Sequence, residues 1–420
     1  MAQHLLILDA NLPGIETITA AKRRGLQVSF IRSGYRKYPE TEAVRAMVYD
    51  VDALVSIVDS TDADALHAAA RLLHQFCRVD AAVCLLEPCI DTAAAVCARL
   101  AIPFTDAAAV AAARDKARTR AILHAAGLRS PRCRRVASVE EARAAAAAIG
   151  GMVVVKPQTG YDSLLASVAI TPEAAAAAAQ RLLDRIGDLP PPLHAQLRKG
   201  IMVESHLDGP LISAELGRRG GRSHRFMLSA HIRARDDECV EIGFVMPAGL
   251  APAQAEACFA YAEAVVEALG LDLGIFHIEM ILTPAGPVLV EANARLMGGG
   301  MPALYRMLTG EDIQDRLLDI HLGLPLPARR PPIRGFVASR TIMARQDCRL
   351  PSNFDLDWLR DYAGAGLVLS PYRLQPHAAV RRLENIAEIR LRGESFAKVD
   401  HVADAVLARF ERCLGIPLLR

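Results

Sequence analysis

The apolar run Leu5-Leu6-Ile7-Leu8 has the length of a buried strand. Ile15 to Arg24 repeats its apolar residues at helical spacing and stops at Gly25, and Gln27 to Ile31 reads as the next strand. Ala81 to Leu86 reads as a further strand, followed by Glu87, Pro88 and a helix through Thr92 to Leu100. This alternation predicts a parallel α/β layer. The turn Asn11-Leu12-Pro13-Gly14 lacks the glycine spacing of a dinucleotide fingerprint, which counts against a nicotinamide site. Alanine runs at 107–113, 144–148 and 174–179 predict plain helices. Pro190-Pro191-Pro192 and the stretch from Pro325 to Pro332, with Arg329 and Arg330 inside it, read as linkers. After the second come strand signals at Val337 to Met343 and an amphipathic helix at Val402 to Leu414.

The most regular alternation lies between Gly274 and Gly300. Ile275 to Leu282 and Pro287 to Arg295 flank Thr283-Pro284-Ala285-Gly286, a hairpin pattern. At strand period two, Phe276, Ile278, Met280 and Leu282 share an apolar face with Val288, Val290, Ala292 and Ala294. The other face carries His277, Glu279, Glu291, Asn293 and Arg295, and a turn centred on Ala285 sets Glu279 across from Glu291. Carboxylates directly opposite repel. A divalent cation removes that repulsion, and carboxylate and amide oxygens with nucleotide phosphates are the hard ligands magnesium takes. A solvated face bearing two acids is the plain alternative. The continuing polar row and Gly298-Gly299-Gly300 favour the cation.

Lys156 ends the strand Met152 to Val155 and precedes Pro157-Gln158-Thr159-Gly160-Tyr161-Asp162-Ser163, a loop with turn residues at its tip. Lys116 lies early in a helical segment, Arg114 to Ala126, that stops at Gly127. Either lysine suits a phosphate or simply reaches water. Ile201 to Pro210 is a strand running into a turn: an ordinary strand end, or a hinge whose backbone near Leu207 reads an adenine edge while Glu204 accepts from the amino group.

Composition narrows the field. With 420 residues, 52% apolar and 23% charged, the chain suits two or three packed domains. A net charge of +2 without a basic stripe gives no sign of nucleic acid or a membrane surface as partner. No apolar run reaches the roughly 18 residues of a span, and the start lacks a signal-peptide pattern, so a cytoplasmic protein is expected. The nine cysteines contain no CxxC pair, and Cys84, Cys89 and Cys97 read as buried thiols.

The order of these elements resembles the ATP-grasp superfamily. Its pieces are Asp115-Lys116 with Arg120 and Gly127, Val155-Lys156-Pro157, Glu204 before Asp208-Gly209, then Glu279 and the series Glu291-x-Asn293-x-Arg295. Within the superfamily the chain looks most like L-amino acid ligases of the bacilysin-synthetase type and related carboxylate-amine ligases. The resemblance implies an α/β and α+β fold: an N-terminal parallel α/β domain at 1–104, a central region with the small ATP-binding lobe at 105–200, the large lobe with the metal site at 201–328, and a C-terminal subdomain at 329–420.

It further implies ATP and Mg2+, with Mn2+ as a substitute. Lys116 and Lys156 would hold phosphates, Glu204 and Leu207 adenine, Glu279, Glu291 and Asn293 the metal, and Arg295 the transferred phosphoryl group. Substrates would be small-molecule carboxylates and amines, amino acids among them, joined in a dipeptide-type bond, and a homodimer is compatible with this. Glu241 either meets a substrate ammonium or is a surface acid. Gly298 and Gly299 either line a substrate pocket or form a tight turn. Three departures stand out: Ser163 to Ser167 carries no further glycines, Pro210-Leu211 stands where an acid for the ribose is usual, and Phe244 where a histidine is frequent. An ATP-grasp ligase for another carboxylate, or a nucleotide-binding protein without chemistry, are the competing expectations.

Overall fold

The computed structural model describes residues 2–35, 38–160, 165–189, 193–194, 197–327 and 331–420. Tyr161 to Leu164 of the loop after Lys156, Pro190-Pro191-Pro192, and Arg329-Arg330 with the expected boundary at 328 lie outside these residues.

The first layer is a parallel sheet ordered Ala53–Ser56, Gln27–Arg32, His4–Leu8, Ala81–Val83. All five residues of His4–Leu8 are buried, as a central parallel strand covered on both faces requires. The Asn11 side chain accepts from the Gly14 N–H and caps the helix Leu12–Arg23. A 3-10 turn, Glu87–Cys89, follows the last strand and leads into the helix Ile90–Arg99. It lies at the carboxyl end of the parallel strands, where open α/β sheets bind ligands.

The second layer is a four-stranded sheet ordered Cys133–Val136, Ile201–Ser205, Val153–Pro157, Ser167–Ala169. The strand Ile201–Ser205 belongs to this small sheet and not to the large lobe, where a boundary after residue 200 had set it. Helices Val139–Ile149 and Pro172–Arg185 cover one face by burying Ala142, Ala145, Ala146, Ala175, Ala178 and Ala179. The alanine runs thus let helix backbones approach the sheet closely. The helix expected from Arg114 to Ala126 starts at Lys116 instead, Lys116–Ala125, and Arg114 ends the preceding helix Ala107–Arg114, because Asp115 takes an extended conformation and caps the second.

The third layer is an eight-stranded antiparallel sheet, ordered Gly286–Asn293, Leu273–Thr283, Leu211–Arg219, Arg222–Arg233, Glu241–Met246, Phe336–Met343, Asn385–Gly393, Val368–Pro371. The last three strands come from the segment expected as a separate C-terminal unit, so backbone pairing joins it to the large lobe. Helix Pro252–Leu269 covers the first strands, and helix Phe396–Leu414 covers the last. That second contact includes the fully buried Arg340, whose Nε donates to Asp404 at 2.9 Å and whose Nη2 bonds Asp400. Among the described residues no helix is long and apolar enough to cross a membrane.

Candidate functional site

Register decides the hairpin. Thr283 pairs with Gly286, Leu282 with Pro287 and Met280 with Leu289, but Glu279 pairs with Glu291. One extra residue, Val290, therefore forms a β-bulge, and without it Glu279 would lie opposite Val290. The bulge also corrects the apolar face expected near the turn. Leu289, fully buried, joins Met280, Ile278, Phe276, Ala292 and Ala294 in the core, while Val288 pairs with Ile281 on the opposite side.

The two facing carboxylates have different environments. Glu279 is 3.2 Å from His277 Nε2 and accepts from Asn293 Nδ2 at 3.1 Å. Burial pushes its carboxyl up, but His277, with His231 and then Arg295 further off, outweighs burial and holds it down at about 2. Glu291 takes the Lys116 ammonium at 2.5 Å, yet burial, reinforced by the charge of Glu279, keeps its carboxyl above the ordinary value. His277 is fixed from behind by Glu215, on the neighbouring strand. Burial disfavours its charge, and Glu215 and Glu279 reverse that and raise it to about 10.

The two lysines are tied to one another through the chain. Lys116 N–H donates to the Gln158 carbonyl at 3.1 Å, and the Gln158 side chain donates to Asp115 at 2.8 Å, fastening the loop after Lys156 to the helix that Lys116 begins. Lys156 is buried and lies 2.8 Å from Glu204. Arg120 grips the same carboxylate through Nε at 2.8 Å and Nη2 at 3.0 Å, and its Nη2 also donates to the Val290 carbonyl at the bulge. The expected acceptor role of Glu204 toward an adenine amino group thus meets a side chain turned inward, both oxygens engaged by cations. Burial would raise its carboxyl, and Arg120 and Lys156 together bring it down to about 2. Beyond it, the Ser205 and His206 N–H groups bond the Arg132 and Met152 carbonyls, and Leu207 makes no backbone hydrogen bond among the described residues.

Arg295 closes the site toward the first layer. Its Nε bonds Glu87, and Nη1 donates to the Leu296 carbonyl at 3.0 Å. Gly298 lies against this guanidinium: a Cβ there would stand 3.4 Å from Nη1. Gly299 has φ +55 with open space around it, so the turn needs glycine there, and Gly300 abuts the Glu388 carboxylate. Glu388 in turn accepts from Tyr372 at 3.1 Å and Arg390 at 2.9 Å. Glu241 is engaged as well, its Oε2 2.6 Å from His231 Nδ1, so it is not an isolated surface acid.

Glu279, Glu291, Asn293 and Lys116 are therefore one cluster, Lys156 and Glu204 a second joined to it through Arg120, and Arg295 with Gly298 a third. Glu87, Glu215 and His231 were not among the residues singled out from sequence, and Arg120 was named there only as part of the resemblance, without a role. Ser213 and Glu215, polar at period two in the mostly apolar first part of the strand Leu211–Arg219, and Glu87 just past a parallel strand were the signals available.

With this geometry, comparison with known proteins is decisive: residues 149–303 match the model of the ATP-grasp domain. Residues 149–303 are an ATP-grasp domain by this match. An L-amino acid ligase from Bacillus licheniformis shares the fold at a TM-score of 0.78 over 97% of each chain, with 18% identity. The uncharacterized protein y4rH of Sinorhizobium fredii is 26% identical over 69% of this chain, and carnosine synthase 1 of Gallus gallus is 28% identical over 61%. The aligned parts span 59% and 29% of those relatives' own lengths. ATP-grasp domains use ATP, and the residues suit a magnesium ion accompanying it. Facing acidic oxygens already draw a cation, the Lys116 ammonium, onto Glu291. Among the described residues no three His, Cys, Asp or Glu side chains converge as a metal cage, so Asn293 and phosphate oxygens would complete the shell.

Proposed function

We propose that the chain joins a carboxylate to an amine with ATP as phosphoryl donor, through an acyl phosphate, releasing ADP and phosphate. The observation that carries this reading is the Glu279–Glu291 pair set in register by the bulge, with Lys116 on one acid and Arg295 within electrostatic reach of the other. Phosphoryl transfer needs in-line positioning and neutralised charge more than covalent help. Lys116 and Lys156 bind phosphates, with Glu204 and Arg120 fixing the position of Lys156, and the free backbone of Leu207 meets adenine. Glu279, Glu291 and Asn293 would hold a magnesium ion, which would supply charge neutralisation to the phosphates. Arg295, oriented by Glu87, faces the oxyanion and phosphoryl charge that develop as the bonds change.

The substrates we infer are amino acids or close relatives, giving a dipeptide-type amide. The likeness to an L-amino acid ligase and to carnosine synthase 1 supports this. Chromatography of the nucleotide product tests the reaction class: ADP that appears only with a carboxylate present supports it, and AMP with pyrophosphate refutes it. Glu291→Gln is expected to abolish that ADP while the protein still unfolds cooperatively, at a lower midpoint because Lys116 loses its partner.

A further inference from the structure

His231 stands at the end of the strand Arg222–Arg233, 6% exposed, and its Nε2 is a buried polar atom without a hydrogen-bond partner among the described residues. Its Nδ1 is held by Glu241 at 2.6 Å, and Phe244, its partner across the ladder, packs edge-on at 4.9 Å between ring centroids. The ring leans toward His277, 5.7 Å away, which bonds Glu279. His231 also lines a cavity of about 800 Å³ together with Leu211, Arg233 and Glu238. A carboxylate-oriented imidazole with its second nitrogen free, beside a large cavity and one imidazole removed from Glu279, is the arrangement of a general base.

We propose, resting on the reading of the site as a carboxylate-amine ligase, that His231 Nε2 takes the proton from the incoming ammonium and that Glu241 positions it. The ammonium R–NH3+ gives one proton to Nε2. Its freed lone pair attacks the acyl carbon, and the carbonyl electrons move to oxygen and return as the carbon–phosphate oxygen bond breaks. The second nitrogen proton leaves on the departing phosphate, so the products are the amide, hydrogen phosphate and imidazolium. The charged groups facing His231 are Glu241, His277 and, through space, Glu279.

Hydroxylamine separates this role from others, because it is largely unprotonated at neutral pH and attacks an acyl phosphate without a base. The experiment measures amide and hydroxamate formation side by side in wild type, His231→Gln and Glu241→Gln. The amide-to-hydroxamate ratio should fall about a hundredfold in His231→Gln, the lower end of what general-base catalysis supplies, and less steeply in Glu241→Gln. Equal loss of both products in His231→Gln would make the imidazole a phosphate or structural contact and overturn the proposal. If His231→Gln does not fold, an unchanged ratio in Glu241→Gln overturns it instead. Wild type that forms hydroxamate from no carboxylate refutes the ligase reading itself, a separate outcome.

Discussion

At the scale of single residues, Glu204 is one buried carboxylate that answers two buried cations, Arg120 and Lys156. Removing one member of such a set leaves uncompensated charge, so Glu204→Gln is expected to lose about 3–5 kcal/mol at neutral pH by urea unfolding. The sign of its pH dependence follows from a carboxyl held at about 2 against an ordinary 4.5. The stabilisation is complete above 4.5 and disappears as pH falls toward 2, so wild type and variant should converge over that interval. A gap that stays constant would mean the carboxylate is not the source. Arg295→Lys keeps charge but loses the planar fork that engages Glu87 through Nε and Leu296 through Nη1. We expect kcat to fall roughly a hundredfold or more, about 2.7 kcal/mol. A raised KM with unchanged kcat would place Arg295 in ground-state binding.

At the scale of elements, the functional hairpin was legible because period two in sequence is period two in space. His277, Glu279, Glu291 and Asn293 share a face whichever partners the strands find. The bulge was not legible, because an extra residue shows only once both strands are paired, and it moved Val288 off the core side. Nor was the partnership of Glu204 with Arg120, or of Glu215 with His277, since each joins residues more than sixty positions apart and no local pattern reports long-range pairing. The glycine run has a turn at Gly299 and a close side-chain contact at Gly300. Gly299 takes the left-handed conformation of a turn, while Gly300 makes room for Glu388 from the strand Asn385–Gly393. A methyl group at Gly300 would meet Glu388 closer than any normal contact. Gly300→Ala should therefore cost about 1–3 kcal/mol in thermal or urea unfolding. It should also release Tyr372, whose hydroxyl burial and Glu388 push up to about 12. An unaltered tyrosine titration and full stability would show that Glu388 does not depend on that gap.

At the scale of the whole molecule, three sheets meet around one cluster of charge. The parallel layer supplies Glu87, the small sheet Lys156 and Glu204, and the large sheet Glu279, Glu291 and His231. The helix Leu12–Arg23 and its C-cap tie the first layer to the helix Ile313–Leu322 through Arg23 with Asp315 and Arg24 with Asp319, each at 2.6 Å. The parallel first layer and the hairpin could be anticipated because local periodicity separates parallel from hairpin strands, whereas the lobes between them were expected only from the resemblance. The continuity of the large sheet into its C-terminal strands could not, because Phe336–Met343 pairs with a strand some ninety residues earlier. The consequence is functional: Glu388 and Tyr372, far along the chain, stand beside the turn that follows Arg295.

A carboxylate that becomes an acyl phosphate within this cluster passes one of its oxygens to phosphate, and the fate of that oxygen reports the chemistry. A substrate carboxylate carrying 18O is incubated with the protein, ATP, magnesium and an amine, and the inorganic phosphate and nucleotide are analysed by mass spectrometry. One labelled oxygen per turnover in inorganic phosphate, with unlabelled ADP, is the result this geometry predicts. Label in AMP, or amide formed with no label in phosphate, would contradict it.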